Sequence, residues 1–91
     1  MNDDSAQVNF GASASLRKWP SQGGQKMIKA ENAIPYTVLE ATLGECLREF
    51  MSKPQTQLHL YEIHTSPQEP LVTAVISAEH AAELNRLREF L

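Results

Sequence analysis

The residue types most able to do chemistry in this chain are one cysteine and three histidines. A nucleophilic pair needs an exposed cysteine beside a histidine, whereas Cys46 falls on the apolar stripe of an expected helix, which favours a buried side chain. His59 and His64 are five residues apart in an expected strand, which puts them on opposite faces. Neither they nor His80 come with the additional cysteine or aspartate ligands of a metal site. We therefore predict no metal site, no cofactor and no catalytic residues.

Two further patterns favour binding over catalysis. Glu45 and Glu49 are four residues apart on the same expected helix, a spacing that suits a solvated surface better than an acid–base pair. Gly23 and Gly24 lack the preceding strand and the Gly-Lys-Ser/Thr pattern of a phosphate-binding loop. The sequence thus predicts a protein that is not an enzyme.

Length and charge narrow the class of protein. The chain has 91 residues and a net charge of −3, so one small domain is expected. The first 32 residues hold four cationic against three acidic side chains, and the remainder holds four against eight. This balance argues against broad non-specific nucleic-acid binding but permits a localised contact or a basic partner. The single cysteine excludes an internal disulfide.

The sequence shows neither a membrane anchor nor an export signal. No apolar run approaches the ~20 residues needed to span a bilayer. The acidic N-terminus lacks the apolar segment of a secretory signal. We therefore expect a cytoplasmic protein with no membrane partner.

The first third of the chain differs in composition from the rest. Residues 1–32 are rich in serine, glycine, glutamine and asparagine, without a sustained hydrophobic period, which predicts a flexible N-terminal arm. Apolar residues along such an arm can anchor a partner; here they are Phe10, Leu16 and Trp19. Residues 33–91 are expected to form the folded domain.

Hydrophobic periodicity predicts five elements in that domain. Thr37 and Glu40 form a Thr-x-x-Glu capping box, and Ser77 is placed to cap the last helix. The expected elements are a strand over 33–36, a helix from Val38 to about Ser52, strands over Gln57–His64 and Leu71–Ile76, and a helix from about Ala78 to the end. The order strand, helix, strand, strand, helix predicts an α+β fold with a small antiparallel sheet and two helices.

Two segments of this domain resemble the prevent-host-death (Phd/YefM) antitoxins of toxin–antitoxin modules. One is Thr37 followed by 41–47, ATLGECL, which resembles the cap and the alanine- and leucine-containing start of that family's first helix. The other is 70–80, PLVTAVISAEH, which matches its last strand and the start of its acidic helix. The resemblance implies a homodimer, binding of a cognate toxin protein, and binding of operator DNA by the ends of the first strand and first helix.

The resemblance also directs the choice of site residues. It implies DNA contacts at Tyr36, Thr37 and Thr42, while Glu40 stands where the family often has a DNA-binding arginine. A second hypothesis is that cations of the arm supply the DNA contact that Glu40 cannot make. These cations are Arg17, Lys18, Lys26 and Lys29. The family's toxin-binding tail would begin after Leu91, so partner binding is expected elsewhere. The candidates are Phe10, Leu16 and Trp19 in the arm, and Leu84, Leu87, Phe90 and Leu91 on the apolar face of the last helix.

Two functions remain open from the sequence. The first is an antitoxin-like protein or accessory transcriptional repressor of a toxin–antitoxin module. The second is a phage- or plasmid-encoded protein-interaction module, an inhibitor or adaptor, with the same fold and no DNA binding. Glu40 and the missing tail favour the second, and the helix caps and small size favour the first.

Overall fold

The computed structural model describes residues 8–26, 34–68, 70–71 and 73–90. Its strands are β1 (Ser13–Lys18), β2 (Ser21–Gln22), β3 (Gln25–Lys26), β4 (Tyr36–Thr42), β5 (Tyr61–Thr65) and β6 (Val75–Ile76). Its helices are α1 (Leu43–Met51), a 3-10 helix over Gln55–Leu60, and α2 (Ala78–Phe90). The described residues form a small α+β domain, as the sequence predicts at that level.

A four-stranded antiparallel sheet in the order β4-β1-β5-β6 organises the domain. Leu16 of β1 lies opposite Leu39 on one side and Ile63 on the other. Since side chains alternate along a strand, these residues share one sheet face, and they form a single core with Leu47 and Phe50 of α1. The sheet therefore has a face packed by helices and a face that no described helix covers.

The prediction of a flexible arm is wrong for Ser13–Lys18, which is a central strand of the sheet. Leu16 is fully buried, and Ala14 is buried on the same face. The sequence SASLRK alternates polar and apolar residues, which is the period of a half-buried strand, but its two apolar residues are too few to stand out in a polar segment. The sheet joins strands from both sides of the expected boundary at residue 32; residues 1–7 and 27–33 lie outside the described part.

The start of α1 also differs from the prediction. Residues 37–40 belong to β4, and the capping box that forms is Thr42 with Glu45. The Glu45 N–H donates to the Thr42 hydroxyl at 3.2 Å, and the Thr42 N–H donates to the Glu45 carboxylate at 3.1 Å. Pairing of β4 with β1 satisfies backbone groups that the predicted helix would have used, so α1 begins five residues later.

The remaining elements follow the predicted order with different bounds. The first half of the expected strand Gln57–His64 is part of the 3-10 helix, and the strand itself is Tyr61–Thr65. Within the described residues, the expected strand Leu71–Ile76 is reduced to Val75–Ile76. The last helix is confirmed over Ala78–Phe90, and the Ser77 hydroxyl accepts the N–H of His80 at 3.4 Å.

Candidate functional site

The residues considered for catalysis are separated in the fold. Cys46 is fully buried in the core, and burial raises the pKa of its thiol. His59 lies on the 3-10 helix, where its Nε2 is 2.7 Å from the Gly24 carbonyl oxygen, so this nitrogen donates the hydrogen bond. His80 stands in the first turn of α2. Over the described part of the chain, no three histidine, cysteine or acidic residues lie close enough to hold a metal ion.

Gly23 and Gly24 form a hairpin turn rather than a phosphate loop. They connect β2 to β3, and their φ angles are 61° and 80°. Two successive positive φ values are the requirement of a tight two-residue hairpin, which glycine meets without steric cost. The turn brings β3, and with it Lys26, back towards Trp19.

Cationic side chains gather at the end of the sheet where β1 finishes. We call this region the cationic end and define it by Arg17, Lys18, Lys26 and Lys53. The Nζ atoms of Lys18 and Lys53 lie 5.6 and 5.8 Å from the ring centroid of Tyr61. These distances are within cation–π range, so the Tyr61 ring lies near two ammonium groups.

A second aromatic ring holds Lys26 at the same end. Its Nζ lies 5.7 Å from the ring centroid of Trp19. The Trp19 indole donates to the Glu62 carboxylate at 2.8 Å, and the Trp19 backbone N–H donates to the Leu60 carbonyl at 2.8 Å. Trp19 is therefore fixed by two hydrogen bonds and provides a rigid support for the lysine.

Two carboxylates offset part of this positive charge. Glu62 accepts from Trp19 and is paired with His64 at 2.5 Å. Burial raises the pKa of Glu62, but the hydrogen bonds from Trp19 and His64 outweigh it and leave the pKa lowered. Glu49 contacts Lys53 at 2.9 Å, and this hydrogen bond raises the pKa of Lys53. Four cations against two carboxylates leave the cationic end positive.

The structure brings together most of the residues that the sequence predicted as DNA contacts. Arg17 pairs with Thr37, and Lys18 pairs with Tyr36, across β1 and β4. Lys26 joins them through Trp19, the residue after Lys18. Thr42 does not join them because it lies opposite Ser13, at the other end of β4. Lys29 lies outside the described residues.

Glu40 does not occupy the position that the family resemblance implied. It lies in β4, opposite Ser15, and not in the first turn of a helix. The first turn of α1 contains Glu45, whose pKa is lowered by the backbone and side-chain hydrogen bonds of Thr42. The first turn of α1 thus carries a carboxylate, whereas Arg17, Lys18 and Lys26 lie on β1 and β3.

The uncovered face of the sheet forms an open groove of about 700 Å³. Arg17 lies in it, and its Nε donates to the Ser15 hydroxyl at 3.0 Å. The lining residues are Ser13, Ala14, Ser15, Arg17, Glu40, Ala41, Thr42, Glu45, His64, Thr65 and Ser66. Mixed charge and wide opening make this groove a polar surface rather than an enclosing pocket.

The residues predicted to bind a partner divide into buried and exposed sets. Leu16 and Leu84 are buried in the core, so they are unavailable to a partner and the prediction is wrong for them. Phe10 packs against the core, and its carbonyl accepts the Gly44 N–H at 2.8 Å. By contrast, Leu87 is 43% and Phe90 82% exposed on α2. Leu91 lies outside the described residues, and Trp19 belongs to the cationic end.

Three exposed apolar residues, on β4 and just before it, were not predicted from the sequence. Ile34, Tyr36 and Val38 are all exposed, at 71, 51 and 40%. Their spacing of two is a strand signal, but assigning residues from 38 onward to a helix concealed it. These residues follow an outer edge of the sheet, since β4 is the first strand in the order.

Known proteins do not place this chain in a family. No protein-family model, curated protein or solved structure matches it. No described helix has the length and apolar character needed to cross a membrane. The class defined by the structure is a small α+β domain with a four-stranded antiparallel sheet.

Proposed function

We propose that this chain is a non-catalytic binding protein of the Phd/YefM-like antitoxin or accessory-repressor type, which acts as a homodimer and contacts operator DNA through the cationic end. The observation that carries the proposal is that β1 places Arg17 and Lys18 opposite Thr37 and Tyr36 of β4, while Lys26 of β3 lies on the ring of Trp19, the residue after Lys18. These residues come from β1, β3 and β4, which are separate in sequence.

The chemistry of the cationic end supports a contact with phosphates. Lysine and arginine side chains bind phosphate oxygens and release counterions, which makes binding strongly salt-dependent. Fixed aromatic rings beside the cations lower the entropy lost when the lysines are ordered. The excess of positive charge is local, because the whole chain is acidic, and this favours one defined DNA contact over general binding.

The order of elements supports the family-like assignment. From β4 to α2 the order is strand, helix, strand, strand, helix, with β1 inserted between β4 and β5 in the sheet. Since β1 comes from the N-terminal segment, part of that segment belongs to the folded unit. A cognate toxin would then meet the exposed part of α2.

A second function, a protein-interaction module without DNA binding, is favoured by a different observation. Leu87 and Phe90 expose apolar surface near the end of α2, and exposed apolar side chains near each other are typical of a partner contact. In this case the lysines of β1 and β3 would only stabilise the fold, through their contacts with the rings of Tyr61 and Trp19.

DNA binding distinguishes the two functions. We would measure binding of the purified protein to the DNA duplex upstream of its own gene by fluorescence anisotropy. The salt concentration would run from about 50 to about 200 mM, the range over which phosphate contacts lose most of their affinity. The Lys18→Gln/Lys26→Gln double variant removes two cations of the cationic end. It should flatten the plot of log K against log salt by about 1.8, since each phosphate contact contributes about 0.9.

Arg86→Gln is the matched control, because Arg86 is an exposed cation on α2, outside the cationic end. It should leave both affinity and salt slope unchanged. Loss of binding in the Arg86 variant equal to that in the lysine variant would refute the proposed location. No binding by the wild type at the lowest salt would refute the DNA contact and leave the interaction module.

The interaction module is tested by co-purification with the products of adjacent genes. Phe90→Ser should abolish capture of a protein partner, while Lys18→Gln/Lys26→Gln should not. Capture that survives both Phe90→Ser and Leu87→Ser would show that the end of α2 is not the contact.

A further inference from the structure

The free edge of β4 is a backbone surface that the proposed function does not use. β4 pairs with β1 on one side, and no described residue pairs with it on the other. It is seven residues long, whereas β6 at the opposite edge has two residues. Unpaired N–H and C=O groups along an edge of this length can accept another strand.

The side chains along this edge also differ from those that usually protect one. Exposed edges are commonly guarded by lysine or proline within the strand. Residues 36–42, YTVLEAT, contain neither, and Glu40 is their only charged residue. Tyr36 and Val38 are exposed there, and Ile34 continues the same spacing before the strand begins.

We propose that the β4 edge pairs with β4 of a second copy of this chain in antiparallel orientation, giving one continuous eight-stranded sheet. This proposal names the interface of the homodimer and rests on that part of the proposed function, but not on DNA binding.

Charge along β1 and β4 argues for a second copy in this orientation. Arg17 and Lys18 lie at the Tyr36 end, while Glu40 lies towards the Thr42 end. Antiparallel pairing centred on Val38 sets Glu40 of each copy opposite Tyr36 of the other, one strand away from Lys18 and Arg17. Arg17 lies opposite Glu62 on β5 without forming an ion pair with it, and Glu40 of the second copy adds a negative charge on the β4 side. Such exposed pairs set orientation more than affinity.

A β-bulge in β4 works against strand pairing at this edge. Leu16 pairs with Leu39 and Arg17 with Thr37, so Val38 is the extra residue of a β-bulge. Bulges increase local twist and are one means by which proteins blunt an edge. In the proposed dimer, the backbone on the outer side of β4 accepts the second strand despite this bulge.

The first experiment compares two valines of similar exposure on the two edge strands. Val38 on β4 is 40% exposed and Val75 on β6 is 45% exposed. The molecular mass of the protein in solution would be measured by light scattering and sedimentation at about 1–100 µM, a range that covers dimers with micromolar dissociation constants. The wild type and Val75→Lys should be dimers. Val38→Lys brings two like charges together and should raise the dissociation constant by about a hundredfold or more.

The second experiment measures the geometry and does not depend on a disruptive variant. Nitroxide labels would be attached to Val38→Cys and Val75→Cys; Cys46 is fully buried and should remain unlabelled. With strands ~4.8 Å apart, seven spacings separate the two β6 strands of the proposed dimer, giving a backbone distance of about 34 Å. Labels at residue 38 should be close enough to broaden the continuous-wave spectrum.

The outcomes separate clearly. Close labels at 38 with distant labels at 75 support the β4 interface. Any of three results would overturn it. The labels at 75 could be close together; the dimer could be unaffected by Val38→Lys and show no broadening at 38; or the wild type could be monomeric at every concentration. The monomeric result would indicate that any strand added at β4 comes from another protein. DNA binding is measured separately, so it can fail while the dimer stands.

Discussion

Replacing Leu16 by alanine tests whether β1 is a structural strand or part of a mobile arm. Leu16 is fully buried, lies opposite Leu39 and Ile63, and contributes to the single core. A buried Leu→Ala change costs about 2–5 kcal/mol, through lost apolar burial and the cavity left behind. We expect about 3 kcal/mol because the position is central in the sheet and both neighbouring strands limit collapse.

That loss is large for a chain of this size. At about 0.05–0.15 kcal/mol per residue, a domain of 91 residues has a free energy of unfolding of roughly 5–14 kcal/mol. Leu16→Ala should therefore remove about a fifth to about three fifths of the stability. The free energy of unfolding would be obtained from urea titration followed by circular dichroism, with linear extrapolation to water.

Leu87→Ala is the matched control, since Leu87 is 43% exposed on α2. Its cost should stay below about 1 kcal/mol, in line with partial burial. Equal small effects of Leu16→Ala and Leu87→Ala would refute the placement of β1 in the core. If Leu16→Ala does not fold, Leu16→Val offers a milder change with the same expected order of effects.

Three further predictions concern the cap, a carboxylate and the cysteine. Thr42→Ala should destabilise the protein by about 1 kcal/mol by removing the helix cap, whereas Thr37→Ala should cost clearly less; equal losses in urea titrations would contradict the observed start of α1. The pKa of Glu62 is lowered in the fold, so its stabilising contribution is present above its unfolded pKa and is lost as pH falls through the folded pKa. Acid should therefore destabilise the wild type more steeply than Glu62→Gln, and parallel stability–pH curves would contradict this. Cys46, buried and with a raised pKa, should react with a thiol reagent only on unfolding; rapid labelling of the native protein would contradict its burial.

The sequence predicted the last helix correctly because its signals agree with one another. Ser77 supplies a cap, and the apolar spacing that follows has the helical period. The structure gives α2 from Ala78 and buries Ala81 and Leu84. Local signals are sufficient where propensity, capping and pattern all indicate the same element.

The first helix was misplaced because two capping boxes stand five residues apart. Thr37-x-x-Glu40 and Thr42-x-x-Glu45 satisfy the same local rule, and residues 41–51 are apolar enough to continue either helix. Pairing of β4 with β1 decides between them. That pairing is a long-range contact of the kind that no local pattern contains, and the polar composition of 1–32 concealed the strand that makes it.

The candidate site was predicted in part. Charge alone was enough to select Arg17, Lys18 and Lys26. Their positions beside Tyr36 and Thr37, and on the rings of Tyr61 and Trp19, depend on strand register and on the hairpin at Gly23–Gly24. The exposed edge of β4 could not be anticipated while its residues were assigned to a helix.

The most direct test of the central claim is a titration of the isotope-labelled protein with the duplex upstream of its gene, followed by amide chemical shifts. We predict that the shifts that change lie at 17–19, 25–26 and 36–37, and that they diminish as salt increases. Amides of α2, over 78–90, should remain unchanged. Changes confined to α2, or no change at low salt, would contradict DNA binding at the cationic end.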